Sequence, residues 1–166
     1  YPLRRQRQMC IRDREDVFED CLLNEKELGI LFLDIDHFKQ LNDRYGHGRG
    51  DEGICAVADT LKKCFPEDYV ARCGGDEFLV VMTGRDREYA EEHARQLCMG
   101  IRECEIPNED SSVEPWLTIS VGGVCAIPRE PNRVWDFLSA ADKTLYDQKN
   151  EQKGKVRFYV GEGQYL

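Results

Sequence analysis

RCGGDEF at Arg72–Phe78 sets two glycines and two consecutive carboxylates at a tight turn between two apolar runs. Tyr69, Val70 and Ala71 form a short β-prone run before it, and Phe78, Leu79, Val80, Val81 and Met82 a stronger one after it. Gly74 and Gly75 then fall where a hairpin turn needs positive φ, and the tip presents Asp76 and Glu77. Adjacent acids repel, whereas an ordinary surface turn more often carries Asn-Gly or one acid with a base nearby. The stretch is therefore a cation or phosphate site, or a turn that is simply solvated.

A second acidic stretch bears on that choice. Ile30–Leu33 is a continuous apolar run that fits a strand buried on both faces, and it ends in Asp34-Ile35-Asp36. Carboxylates at the end of a buried strand lie at the rim of a sheet, where their oxygens can meet Mg²⁺ without sinking into the core. For Asp34 alone the plainer reading is an acid leaving the core for water. The two stretches together favour a shared site.

The remaining chain supplies helices and strands around these two stretches. Val17, Phe18, Cys21 and Leu22 recur at helical spacing between Glu15 and Glu27, and His37–Tyr45 reads as a short helix broken at Gly46-His47-Gly48. Gly50–Phe65 puts Ile54, Val57, Ala58, Leu61 and Phe65 on one face before Pro66, and Asp86–Cys104 does the same with Ala90, Ala94, Leu97 and Ile101. Residues 106–115 read as a loop. Leu117, Ile119 and Val121 alternate as in a strand, which Gly122-Gly123 should weaken or bend. Val134, Phe137, Leu138, Ala141 and Leu145 mark a last helix, and Val156, Phe158 and Val160 a closing strand. The expected fold is α/β, with a mixed central sheet flanked by helices and a hairpin at the site.

Length fits one domain with a single core, and residues 15–166 are assigned to it. No apolar run is long enough to cross a bilayer and no signal-peptide pattern is present, so a cytoplasmic location is expected, in a free protein or in the cytoplasmic part of a membrane-anchored parent. The net charge of −9 argues against general nucleic-acid binding. Of the eight cysteines, Cys21, Cys55, Cys64, Cys98 and Cys104 fall within helical patterns and Cys73 and Cys125 within strand patterns, without CxxC pairs or zinc spacing, and these read as buried thiols in a reducing compartment. RRQRQMCIRDR at Arg4–Arg14 matches the translation of a common transposase-adapter oligonucleotide, so residues 1–14 are expected to be non-native. The alternative is a basic arm.

Four ordered motifs carry a resemblance. LDIDHFKQLNDRYGHGRGDE at Leu33–Glu52, VARCGGDEFLVV at Val70–Val81, LTISVGG at Leu117–Gly123 and AADKTLYDQK at Ala140–Lys149 resemble the GGDEF domain of diguanylate cyclases, bacterial signalling enzymes. The resemblance implies a palm-like, nucleotidyl-cyclase-like fold. It also implies condensation of two GTP molecules into cyclic di-GMP, by a homodimer that brings two GTP-loaded sites face to face. The rivals are a GGDEF module that binds GTP or cyclic di-GMP as a regulator without turnover and, more distantly, another nucleotidyl cyclase or transferase on the same palm. A segment of the type DxLTGLxNR usually precedes the first helix and is missing here, which implies that an upstream sensory or regulatory domain is missing too.

By the same resemblance Asp34, the Ile35 carbonyl, Asp76 and Glu77 hold Mg²⁺ or Mn²⁺, with Asp76 or Glu77 taking the proton. Gly74 and Gly75 let the nucleotide approach the backbone. The His37 and Phe38 amides, Lys39, Lys149 and Lys153 meet phosphates, the family often having Arg where Lys153 stands. Asn42 and Asp51 recognise guanine, and His47 falls at a further substrate position. From the residues alone, Asn42 is equally a helix-terminal residue, Asp51 an acid facing the dipole of the next helix, His47 a turn histidine and Lys39 a surface lysine. Arg72 reads as a brace for the hairpin rather than a substrate ligand. The RxxD product-inhibition motif of many family members is absent, because Phe65 stands where its arginine would, although Asp68 is retained.

Overall fold

The computed structural model describes residues 11–161, and side chains from residue 15 onward. What was expected of residues 1–14 therefore lies, apart from the backbone of 11–14, outside the described residues. The elements are α1 (Ile11–Leu23), β1 (Leu28–Ile35), α2 (Phe38–Tyr45), α3 (His47–Cys64), β2 (Tyr69–Gly74), β3 (Glu77–Thr83), α4 (Arg87–Glu103), β4 (Ile119–Ala126), α5 (Val134–Glu151) and β5 (Val156–Phe158). The strands form one sheet in the order β2-β3-β1-β4-β5, antiparallel except for the parallel β4–β5 pair.

β1 is the central strand, buried on both sides as its unbroken apolar run requires. Its Leu31, Leu33 and Ile35 meet α3 and α4 in one core with Val57, Leu61, Ala94 and Leu97. Its Leu28 and Ile30 meet α1 and α5 in the other, with Phe18, Phe137 and Ala141. Side chains alternate across a strand, so Asp34 leaves the sheet on the α5 side. The same parity on β3 puts Phe78, Val80 and Met82 with the first core and Leu79 and Val81 with the second, and so sends Glu77 to the α5 side as well.

Several boundaries differ from the periodicity, each for a local reason. α1 ends at Leu23 rather than Glu27 because Glu25 takes left-handed φ (49°) and Lys26 N–H returns to the Cys21 carbonyl at 2.9 Å, a Schellman closure. Only Gly46 (φ 82°) breaks α2 from α3, and His47 is already the first residue of α3. Asp51 therefore sits a turn inside α3 rather than at its entrance. Gly122 and Gly123 neither bend nor end β4, which pairs with β1 as far as Ala126. Each is small because of what packs on it: a Cβ on Gly122 would stand 2.5 Å from Leu145 Cα of α5, and one on Gly123 2.7 Å from Leu31 Cδ2 and 2.8 Å from Phe158 Cε1. β5 ends at Phe158, leaving Val160 exposed.

Among the seven described cysteines the expectation of burial is met only by Cys21 and Cys98. Cys64 and Cys125 are half-buried, while Cys55, Cys73 and Cys104 are exposed on helix faces or in the hairpin.

Candidate active site

The hairpin is tighter than expected. Gly74 is the last residue of β2 and pairs with Glu77, so the turn consists of Gly75 and Asp76. Gly75 has positive φ (49°), whereas Gly74 does not, which corrects its expected role in the turn. A positive φ at the first central position alone is the signature of a type II′ hairpin. A register shift between Arg72 and Gly74 adds a bulge at Cys73. Arg72 folds over the turn and its Nε donates to the Gly75 carbonyl at 2.8 Å, so it braces the hairpin.

β1 and β3 bring the two acidic stretches together. Asp34 pairs with Glu77 across the strands, and the Asp76 carbonyl accepts from Ile35 N–H at 3.3 Å. Like charges directly opposed across a ladder destabilise it. The effect is visible in the ionisation of the hairpin acids. Loss of surrounding water, then the charge of Asp34, raises the Asp76 pKa above the usual carboxylate range. Glu77 is raised by the same two causes in the same order, with Asp76 and Asp142 adding to them. Lys149 of α5 answers this charge, its Nζ donating to Asp34 Oδ1 at 2.7 Å, and the Arg72 guanidinium adds a smaller attraction at Asp76. Asp34 is only 9% exposed, so this pair is largely shielded from water.

Hard carboxylate oxygens in excess over local cations suit Mg²⁺ or Mn²⁺. Among the described residues, no three His, Cys, Asp or Glu side chains form a group that could hold a metal ion. The donor set fits a metal of the kind held by one or two carboxylates and completed by substrate phosphates, rather than a closed protein cage.

The other expected site residues lie around this cluster. Lys153 is half-buried in the turn after α5 and lines, with Lys149, Ser112 and Val113, a cleft of about 350 Å³. Lys39 is exposed on α2, and the Phe38 side chain packs on the core, leaving only its backbone as a candidate contact. Asn42, His47 and Asp51 form a second group at the α2–α3 corner. There the Asn42 side chain lies over Gly50, where a Cβ would stand 2.9 Å from Asn42 Cγ. Asn42 Oδ1 is buried against Gly50 without a hydrogen-bond partner. His47 and Asp51 are both exposed.

One acid escaped the sequence reading and another was misplaced by it. Asp142 adds charge at Glu77, and its spacing of two turns from Lys149 on α5 was the available signal. Asp36, grouped with Asp34 at the rim, is instead fully buried beneath the site.

At the place of the inhibitory arginine, Phe65 is a core residue, 1% exposed. Asp68 accepts from Tyr89 Oη at 3.2 Å.

Known proteins share this arrangement. The family described as "Diguanylate cyclase, GGDEF domain" matches residues 7–155. "Probable diguanylate cyclase DgcC" of Escherichia coli is 33% identical over 140 residues, which cover 84% of this chain and 37% of that protein. Diguanylate cyclase A of Treponema denticola is 32% identical over 133 residues, covering 80% of this chain and 35% of that protein. The chain thus spans about a third of the length of these relatives. Among solved structures, the active GGEEF domain of a diguanylate cyclase from Vibrio cholerae superposes with a TM-score of 0.80 at 24% identity, over 91% of this chain and 94% of that one, a likeness of fold. With the family matched across nearly the whole chain and its hairpin acids drawn up against the end of β1, this chain belongs to the GGDEF-domain family of diguanylate cyclases.

Proposed function

We propose that the chain is an active diguanylate cyclase domain that condenses two GTP molecules into cyclic di-GMP. The observation that carries this reading is the direct opposition of Asp34 and Glu77 across β1 and β3, with Asp76 at the adjoining turn and Lys149 the cation against Asp34. Such charge crowding costs stability and is expected where a bound divalent cation relieves it.

In the reaction each 3′-hydroxyl attacks the α-phosphate of the other nucleotide, so that two phosphodiester bonds form and two pyrophosphates leave. A bound divalent ion supplies neutralisation of the phosphate charge and a lowered pKa for the attacking hydroxyl. Asp34, the Ile35 carbonyl, Asp76 and Glu77 would hold it. Asp76 or Glu77, with their raised pKa values, stands ready to take the hydroxyl proton. Lys149 and Lys153 would meet phosphate oxygens from the cleft, and Lys39 and the His37 and Phe38 amides from the start of α2. Gly74 and Gly75 leave the hairpin backbone open to the nucleotide. Asn42 and Asp51 would read guanine, the Asp51 carboxylate facing the N1–H and N2–H₂ donors that adenine lacks, with His47 beside them. Each monomer holds one GTP, so catalysis takes a homodimer.

Incubating the purified chain with Mg²⁺ and GTP and resolving the products tests the reading. Cyclic di-GMP is expected, and Asp76→Ala should lower its formation at least about a hundredfold, the scale of removing a principal electrostatic group. Tight GTP binding without turnover would refute the enzyme and favour a regulatory module.

A further inference from the structure

Asp36 is the one carboxylate near the site with no exposure at all. A buried acid is costly unless its oxygens are satisfied, and here both are: Oδ1 accepts from Ser120 Oγ at 2.6 Å and Oδ2 from Thr118 Oγ1 at 2.8 Å. Its backbone is held as well, the N–H donating to the Thr118 carbonyl at 2.9 Å and the carbonyl accepting from Asn108 Nδ2 at 3.4 Å.

The chain of bonds continues out of this cluster. Ser120 Oγ, besides donating to Asp36, accepts from Gly154 N–H at 3.1 Å. Gly154 is buried with φ of 72°, and a Cβ there would stand 2.7 Å from Val113 Cγ1 and 3.8 Å from Asp36 Oδ2. Its carbonyl accepts from Arg102 Nη2 at 3.0 Å. The turn between α5 and β5 is therefore pinned through Gly154, and the residue beside Gly154 is Lys153, which faces the same cleft as Lys149. On the other side of Asp36, His37 takes left-handed φ (54°), a strained conformation for a residue with a side chain, and its Nε2 lies 2.9 Å from Ser112 Oγ at the cleft wall.

We propose that Asp36 is a positioning residue: through Ser120 and Gly154 it fixes the turn that carries Lys153, and through its own backbone the turn into α2, so that both sides of a triphosphate pocket are set from one buried carboxylate. The inference rests on the functional reading above, since it assigns the pocket to GTP phosphates. Asp36 touches no substrate. A lysine on a free turn must be ordered when phosphate binds, whereas one on a pinned turn is ordered beforehand.

The test is calorimetric binding of a non-hydrolysable GTP analogue with Mg²⁺ to the full chain, in the wild type and in Ser120→Ala, Lys153→Ala and the double variant. Ser120→Ala should weaken binding about tenfold, and in the Lys153→Ala background it should add less than about twofold, because residues acting through one contact are not additive. In turnover, Ser120→Ala should raise KM with little change in kcat. Asp36→Asn should act in the same direction where it folds, and Ser120→Ala, a small change, carries the test where it does not. Unchanged affinity in a folded Ser120→Ala protein, or full additivity with Lys153→Ala, overturns the inference and leaves the function standing. No binding to the wild type overturns both.

Discussion

Gly74 and Gly75 are adjacent and chemically identical, yet they are glycines for different reasons. Gly75 has positive φ, which only glycine adopts without strain in a turn of this kind. Gly74 has neither positive φ nor any atom within 4 Å of where its Cβ would stand, so the fold itself does not require glycine there. On the functional reading the space belongs to the nucleotide. Gly74→Ala should therefore keep its stability within roughly 0.5 kcal/mol, as for surface substitutions, while losing most cyclase activity. Thermal unfolding beside a product assay checks this, and full activity in Gly74→Ala would remove Gly74 from the substrate site. Lys149 shows the same economy of placement. It meets Asp34 because strand parity sends Asp34 toward α5, so it serves as counter-ion before any phosphate arrives.

At the scale of elements, the seat of α5 on β4 decides whether Lys149 and Lys153 reach the site at all. Helix and strand touch at Gly122, where an added Cβ would lie 2.5 Å from Leu145 Cα and 2.6 Å from Leu145 Cβ. Those atoms belong to a helix backbone and its root, which cannot swing aside as a side-chain tip would. Gly122→Ala should destabilise the domain by about 3 kcal/mol or more, the upper range for overpacking a core. A Tm close to that of the wild type would show that α5 can lift from the sheet at little cost. The hairpin is secured differently, by the Arg72 bond to Gly75 and the Ile35 bond to Asp76, both local to the site.

The described residues present one candidate nucleotide site, while the proposed reaction joins two nucleotides. Specific activity should rise with protein concentration in the dilute range, and the rise should follow dimer formation measured by ultracentrifugation. A flat specific activity where only monomer is present would refute the face-to-face arrangement. Product control is a second property of the whole domain. Phe65 is built into the core beneath α4, its ring centroid 5.9 Å from that of His93, and offers no guanidinium for a phosphate. Added cyclic di-GMP should consequently inhibit only weakly and by competition with GTP. Strong non-competitive inhibition that disappears in Asp68→Ala would show a second product site.

Much of this architecture was legible in the residues, because it depends on short-range pattern. The apolar run of Ile30–Leu33 required a strand buried on both sides, the spacing of Ile54, Val57, Ala58 and Leu61 required a helix face, and the paired acids marked the candidate site. What the pattern could not settle was anything set by contact between distant elements. Gly122 and Gly123 look like a break in a strand; instead α5 rests on Gly122, and Leu31 and Phe158 pack over Gly123. Asp36 looks like a partner of Asp34 and is instead a buried clasp, since its environment comes from Thr118, Ser120 and Gly154, far along the chain. The sequence by itself determined the elements, their order and the acids of the candidate site, for periodicity and turn chemistry are local. Only the tertiary structure decided which acid faces Lys149 and which is buried, because the ionic and hydrogen-bonding partners of a carboxylate are chosen by packing and not by its neighbours in the chain.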